Sequence, residues 1–194
     1  MSPKKLVIFL DSGDTLIDES TEVRNEAGIV QTAQMVPGAR EAVKALAERG
    51  YTLVLVADGE ALSFQNSLTQ NGMYPYFTAL IVSEMIRARK PSPRMFRAAM
   101  GAVELGERDR GRIVMVGNNL ARDIRGANQM GFTSIFLDWS PRYPKTPTDD
   151  LEKPDYIIHT PWELVALADR LERKLQKEEQ PLRKDSQKDE SVFA

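Results

Sequence analysis

Leu6-Val7-Ile8-Phe9-Leu10 runs directly into Asp11-Ser12-Gly13-Asp14-Thr15-Leu16. The first five residues are uninterruptedly apolar, as in a strand buried on both faces, and lack the alternation of a strand with one wet face. A carboxylate placed at the end of such a strand, ahead of a glycine-bearing turn, has two readings: a loop cap or a nucleophile. Working outward, residues 5–10, 52–56, 79–82, 112–116, 133–137 and 156–158 all read as short buried strands rich in Val, Ile, Leu or Phe.

Helical patterns lie between them. Residues 40–49 place Val43, Leu46 and Ala47 on one face and stop at Gly50, a suitable residue just past a helix end. Ser92-Pro93 supplies an N-cap and first helical position, followed by Phe96, Ala99, Met100 and Val103 on one face. Residues 120–130 close on Gly131, and Thr160-Pro161-Trp162-Glu163 has the pattern of a capping box. Strands alternating with helices imply right-handed crossovers and an α/β fold with an open, doubly wound parallel sheet. Ligands of such sheets lie beyond the carboxyl ends of the strands, so the residues just after each strand are the candidates for chemistry.

The chain has 194 residues, 42% hydrophobic and 28% charged, which suits a single domain with a sizeable core. Residues 1–172 are expected to form that domain, with a short flap at 17–36. Residues 173–194, dominated by Lys, Glu, Gln and Asp, are expected to form a fraying helix and a flexible, solvated tail. A formal net charge of -2 gives no footprint for nucleic acid. The absence of cysteine excludes thiol catalysis and thiolate metal sites. The apolar run after Met1-Ser2-Pro3 is too short for a signal peptide or membrane span, and the chain is read as cytoplasmic, with no membrane partner.

Three further strand ends carry polar signals in order: Ala57-Asp58-Gly59, Arg89-Lys90-Pro91, and Gly117-Asn118-Asn119-Leu120-Ala121-Arg122-Asp123 followed by Ile124 to Ala127. With the Asp11 segment, this series resembles the four motifs of the haloacid dehalogenase (HAD) superfamily, over roughly residues 4–171. The resemblance implies a Rossmann-like core and an aspartyl-phosphate intermediate on Asp11. It casts Asp11 and Lys90 as catalytic and Asp58, Gly59 and Lys90 as phosphate-binding. Mg²⁺ would be held by Asp11, the Gly13 carbonyl, Asn118 and Asp123.

The sequence departs from the family pattern at three places. Gly13 stands where phosphatases of the family carry the aspartate that protonates the leaving group. Its loss implies substrates whose leaving group needs no proton. Asp14 next to it is expected to cap the turn. Ala57 removes a hydroxyl from the phosphoryl site, leaving backbone N–H groups around Gly59 to bind it, and Asp58 reads as a cap of the helix that follows. Asn118 replaces an anionic ligand, so metal binding is expected to be weak. His159, the sole histidine, is read as structural.

Only residues 17–36 separate the nucleophile turn from the next helix, room for a flap but no cap domain. Capless members have open sites, covered here by the proline-rich loop at 138–150, with Trp139, Arg142, Tyr143 and Lys145, or by a second copy in a homo-oligomer. The leading expectation is a HAD-like phosphatase acting on a phosphorylated substrate. The alternatives are a non-catalytic scaffold that binds a phosphorylated ligand or protein, and a metal-independent dehalogenase.

Overall fold

The computed structural model describes residues 4–189, so the expectations for residues 1–3 and for the end of the tail, 190–194, lie outside the described residues. Six parallel strands form the sheet: β1 (Val7–Leu10), β4 (Thr52–Ala57), β5 (Ala79–Val82), β6 (Ile113–Gly117), β7 (Thr133–Leu137) and β8 (Tyr156–Ile158), in the order β5-β4-β1-β6-β7-β8. The chain moves outward from β1 to β5 and then returns to build the other half from β6. The strand order therefore reverses beside β1, where an open α/β sheet leaves a crevice.

Alternate residues of each strand feed two cores. Ile8, Leu10, Leu53, Leu55, Val114 and Val116 pack under α1 (Ala39–Glu48) and α6 (Glu163–Asp189). Val7, Phe9, Val54, Val56, Ile113 and Met115 pack under α4 (Pro93–Ala102) and α5 (Arg125–Met130). Both faces are covered, which is why the strands read as unbroken apolar runs. Each fully buried Leu, Val, Ile or Phe contributes roughly 1.5–3 kcal/mol by leaving water.

The expected elements appear with shifted ends. The first strand starts at Val7, because the Lys5 and Leu6 N–H groups donate to the buried Glu172 carboxylate of α6 at 3.1 and 2.9 Å. β4 and β6 each run one residue further than expected, to Ala57 and Gly117. Helix α1 ends with Gly50 at φ 83°, and Ser92 caps α4 by accepting the Arg94 N–H. The stretch 120–130 is two elements, a π-helical turn (Leu120–Ile124) and then α5. Of the capping box, one half forms: Glu163 accepts from the Thr160 N–H at 3.1 Å and hydroxyl at 3.0 Å, while α6 itself begins at Glu163. The polar stretch from 173 continues as α6 as far as Asp189, so a helix occupies much of the span expected to be tail.

The flap is a two-stranded antiparallel hairpin, β2 (Val23–Arg24) and β3 (Val30–Thr32), preceded by a 3₁₀ turn (Glu19–Thr21). It lies against α2 (Ala61–Gln70), and a single-turn α3 (Ser83–Ile86) follows β5. No helix among the described residues is long and apolar enough to cross a membrane.

Candidate active site

Three charged groups meet at the carboxyl end of the sheet. Lys90 Nζ lies 2.6 Å from Asp11 Oδ1 and 2.7 Å from Asp123 Oδ1, and donates to the Val56 carbonyl at 2.8 Å. The lysine and Asp123 side chains are 2% and 1% exposed, and Asp11 is 13% exposed. The ammonium thus donates to Asp11 and the Val56 carbonyl and is ion-paired with Asp123, and of the two carboxylates Asp11 is the more open. Burial works against the Lys90 charge, but Asp11, Asp123 and Asp58 outweigh it and hold the proton above the ordinary lysine range. Burial is also the main reason that Asp123 is pushed up to about 6; Lys90 opposes this and Asp11 adds to it.

Local sequence explains how each group arrives. The Asp11 N–H donates to Val116 O at 2.9 Å, and the Ser12 carbonyl accepts from Thr15, Leu16 and Ile17, closing a tight turn over the strand end. Thr15 Oγ1 donates to Asp11 Oδ2 at 3.4 Å. The left-handed residue in this turn is Asp14, at φ 48°, and not Gly13. Asp123 folds back on the end of β6 through the π turn and accepts the Asn119 N–H at 3.0 Å. A Cβ on Gly117 would lie 2.3 Å from Asp123 Oδ2, so only glycine leaves room for that carboxylate.

Two expectations are corrected. Asp58 does not cap α2: its Oδ1 accepts the Lys90 N–H at 3.0 Å and its Oδ2 lies 3.6 Å from Arg122, so it braces the lysine segment. Its negative charge, so placed, opposes direct contact with a phosphate. Gly59 borders the site, but its N–H donates to Ser83 Oγ at 2.9 Å, so that donor is already spent. Asp14, expected to cap its own turn, reaches further along the chain instead. It accepts the Glu19 N–H at 3.0 Å, Ser140 Oγ at 2.8 Å and Arg142 Nε at 2.6 Å, which ties the 138–150 loop to the nucleophile turn. His159 is exposed and lies on the surface.

The donor set suits a hard cation. Both side-chain polar atoms of Asn118 are buried without a hydrogen-bond partner, an orphaned amide of the kind that an ion or water satisfies. Among the described residues no group of three or more His, Cys, Asp or Glu side chains is arranged to hold a metal. A cation here would depend on two carboxylates supplemented by amide and backbone oxygens.

Residues 5–131 match the family described as haloacid dehalogenase-like hydrolase. The chain belongs to this family. It is 28% identical over 138 residues to glyceraldehyde 3-phosphate phosphatase of Pyrococcus furiosus, covering 71% of this chain and 55% of the relative. Glyceraldehyde 3-phosphate phosphatase of Methanopyrus kandleri is 33% identical over 120 residues, covering 62% and 50%. The chain thus spans about half the length of the curated relatives it matches. In fold it is similar to YfnB of Bacillus subtilis bound to magnesium, with a TM-score of 0.67 at 16% identity, covering 84% of this chain and 98% of that one.

The HAD motifs open onto a cavity of about 190 Å³ lined by Asp11, Gly13, Asp58 and Gly59. Arg122, Tyr143 and the flap residues Glu19, Glu22 and Arg24 line it too. Arg122, Glu19, Glu22 and Arg24 were not assigned to the site from sequence. Arg122 had a legible signal, since it precedes Asp123 in the fourth motif; its guanidinium stacks on Tyr143, 4.9 Å from the ring centroid. Of the loop residues expected to cover the site, only Tyr143 lines the cavity. Arg142 is held by Asp14, Lys145 pairs with Asp138, and Trp139 packs against the core. Burial raises the Glu19 carboxyl above its ordinary value, opposed by Arg142 and aided by Asp14, Asp11 and Glu22.

Proposed function

We propose that this HAD protein is a phosphatase that hydrolyses small phosphomonoesters through an aspartyl-phosphate on Asp11. The observation that carries the reading is the buried Lys90 ammonium fixing Asp11 Oδ1 at 2.6 Å on the wall of a polar cavity at the strand-order reversal. Oδ2, restrained only by Thr15 at 3.4 Å, is the oxygen free to attack phosphorus. Arg122, cavity-facing and weakly paired with Asp58, orients the phosphoryl oxygens.

Asp11 and Asp123 leave the site one negative charge in excess over Lys90, which disfavours the approach of a phosphate dianion. Mg²⁺, held by Asp11, the Gly13 carbonyl, Asn118 and Asp123, would supply the missing positive charge and polarise the phosphoryl group. The named activities of the relatives support a phosphorylated substrate, and the absence of cysteine suits a cytoplasmic setting.

The test is Asp11→Asn. Turnover of every accepted phosphomonoester should vanish, and acid-quenched wild type should carry a phosphoryl adduct on Asp11 by peptide mass spectrometry. Retained activity in the variant overturns the mechanism. Binding of phosphate without turnover by the wild type would favour the scaffold reading, which Gly13, Ala57 and Asn118 otherwise support.

A further inference from the structure

The cavity beside Asp11 contains a carboxyl group that the four motifs do not account for. A Cβ placed on Gly13 would lie 1.7 Å from Glu19 Oε1, 2.6 Å from its Cδ and 2.9 Å from its Cγ. No side chain fits at residue 13 while Glu19 stands there. The Glu19 carboxyl occupies the root of the side chain that Gly13 lacks, two residues past the nucleophile. Glycine is needed here for space, since its φ is not in the left-handed region.

The placement is built by neighbouring residues. Asp18 caps the 3₁₀ turn by accepting the Ser20 N–H, and the Glu19 N–H is fixed on Asp14 at 3.0 Å. Arg142 Nε lies 3.4 Å from Glu19 Oε2 but is committed more closely to Asp14, at 2.6 Å. Oε1 is left turned toward Gly13. The side chain is 31% exposed and lines the same cavity as Asp11 and Arg122.

We propose that Glu19 is the general acid and base of this HAD enzyme, working from the space that a side chain at residue 13 would fill. The proposal rests on the phosphatase reading and extends it to alkyl phosphates, whose leaving groups need a proton. In the first step an Asp11 oxygen bonds to phosphorus, and the bond from phosphorus to the ester oxygen breaks. The Glu19 carboxyl gives its proton to that oxygen, releasing the alcohol. In the second step Glu19 carboxylate takes a proton from the water that attacks phosphorus. The Asp11–phosphorus bond breaks, inorganic phosphate leaves, and both carboxyl groups regain their starting states.

The experiment compares wild type, Glu19→Gln, Glu19→Ala and the double variant Gly13→Asp/Glu19→Ala on alkyl phosphates and on nitrophenyl phosphate, with circular dichroism confirming the fold. Glu19→Gln should lower kcat/KM for alkyl phosphates by ~10²–10⁴-fold and for nitrophenyl phosphate by no more than about threefold. The double variant should recover part of the alkyl activity that Glu19→Ala alone lacks, because the aspartate then has room. Equal loss on both substrate classes would make Glu19 a structural anchor for Arg142 and overturn the proposal, as would no loss on either. A wild type that cleaves nitrophenyl phosphate but not alkyl phosphates overturns the acid and leaves the phosphatase reading intact. A wild type that cleaves neither and forms no Asp11 adduct removes both.

Discussion

Asn118 is where the chemistry of one side chain is most exposed to test. Its amide is buried and unpartnered beside a cluster in which two carboxylates already share one ammonium. Asn118→Asp adds a third carboxylate without changing side-chain size. In chelator the variant should melt below wild type, because the new charge is buried without a counterion. With Mg²⁺ the gap should narrow, since a ligand that binds only the folded state stabilises it with the logarithm of its affinity. A gain of about tenfold in affinity corresponds to about 1.4 kcal/mol. Calorimetry and paired melting curves, in chelator and in Mg²⁺, read both effects; a variant identical to wild type in both media would remove Asn118 from the metal site. The same crowding logic explains Gly117, whose missing side chain makes room for Asp123, as Gly13 makes room for Glu19.

Among the elements, the loop between β7 and β8 shows how a distant carboxylate supports the site. Glu152 accepts the Thr148 N–H and hydroxyl at 2.8 Å each and Arg125 Nη2 at 2.9 Å, bracing the connection that carries Arg142 and Tyr143. The Thr148 N–H foremost, then Arg125 and the Thr148 hydroxyl, hold its carboxyl below the usual range. A carboxylate with a depressed folded-state pKa contributes stability above its unfolded value, about 4.3, and loses it as pH falls through the folded value. Glu152→Gln should therefore lower the melting midpoint at pH 7 by on the order of a few degrees, and the gap should close below about pH 4. A gap independent of pH would mean that the charge has no part in it. The same elements show what was legible in the sequence. Six buried parallel strands were readable because both faces are covered, so each is a continuous apolar run whose end marks a site position. The flap hairpin was not, since two- and three-residue strands carry no period, and its order depends on α2 side chains 33 to 37 residues away. Asp58 looked like a cap because it precedes a helix; only the fold brings Lys90 to it. Glu19 was invisible as a site residue because its role follows from the space above Gly13, which no spacing encodes.

At the scale of the whole fold, the question is what stands over the site among the described residues. The flap is stitched to α2 by Val30 N–H to Ser63 Oγ at 3.0 Å, Asn66 Nδ2 to Val30 O at 2.8 Å, Ala33 N–H to Gln70 Oε1 at 3.0 Å and Asn71 Nδ2 to Ala33 O at 3.0 Å. Each such bond contributes about 0.5–1.5 kcal/mol, and leaving a buried partner unpaired costs more. The flap is therefore a fixed wall, and with Tyr143 it narrows an otherwise open crevice to about 190 Å³. That is below the ~300–1,000 Å³ of pockets for drug-sized ligands. Selection by size should follow from the wall itself, without domain closure or a second copy of the chain. Three-carbon phosphoesters should be cleaved with kcat/KM at least about tenfold above phosphopeptides, since rejecting a poorly fitting group by ~1–3 kcal/mol changes rates by that order. Arg24, whose guanidinium on the cavity rim pairs with Glu22 and the Gly28 carbonyl, is exposed enough to remove without disturbing the core. Arg24→Ala should narrow the ratio by improving the larger substrates while leaving the small ones nearly unchanged. A wild type that handles phosphopeptides as readily as three-carbon esters would show that the flap is displaced on binding. Hydrogen exchange at the Val30 and Ala33 amides, slow in the free protein if the wall is fixed, would then be fast.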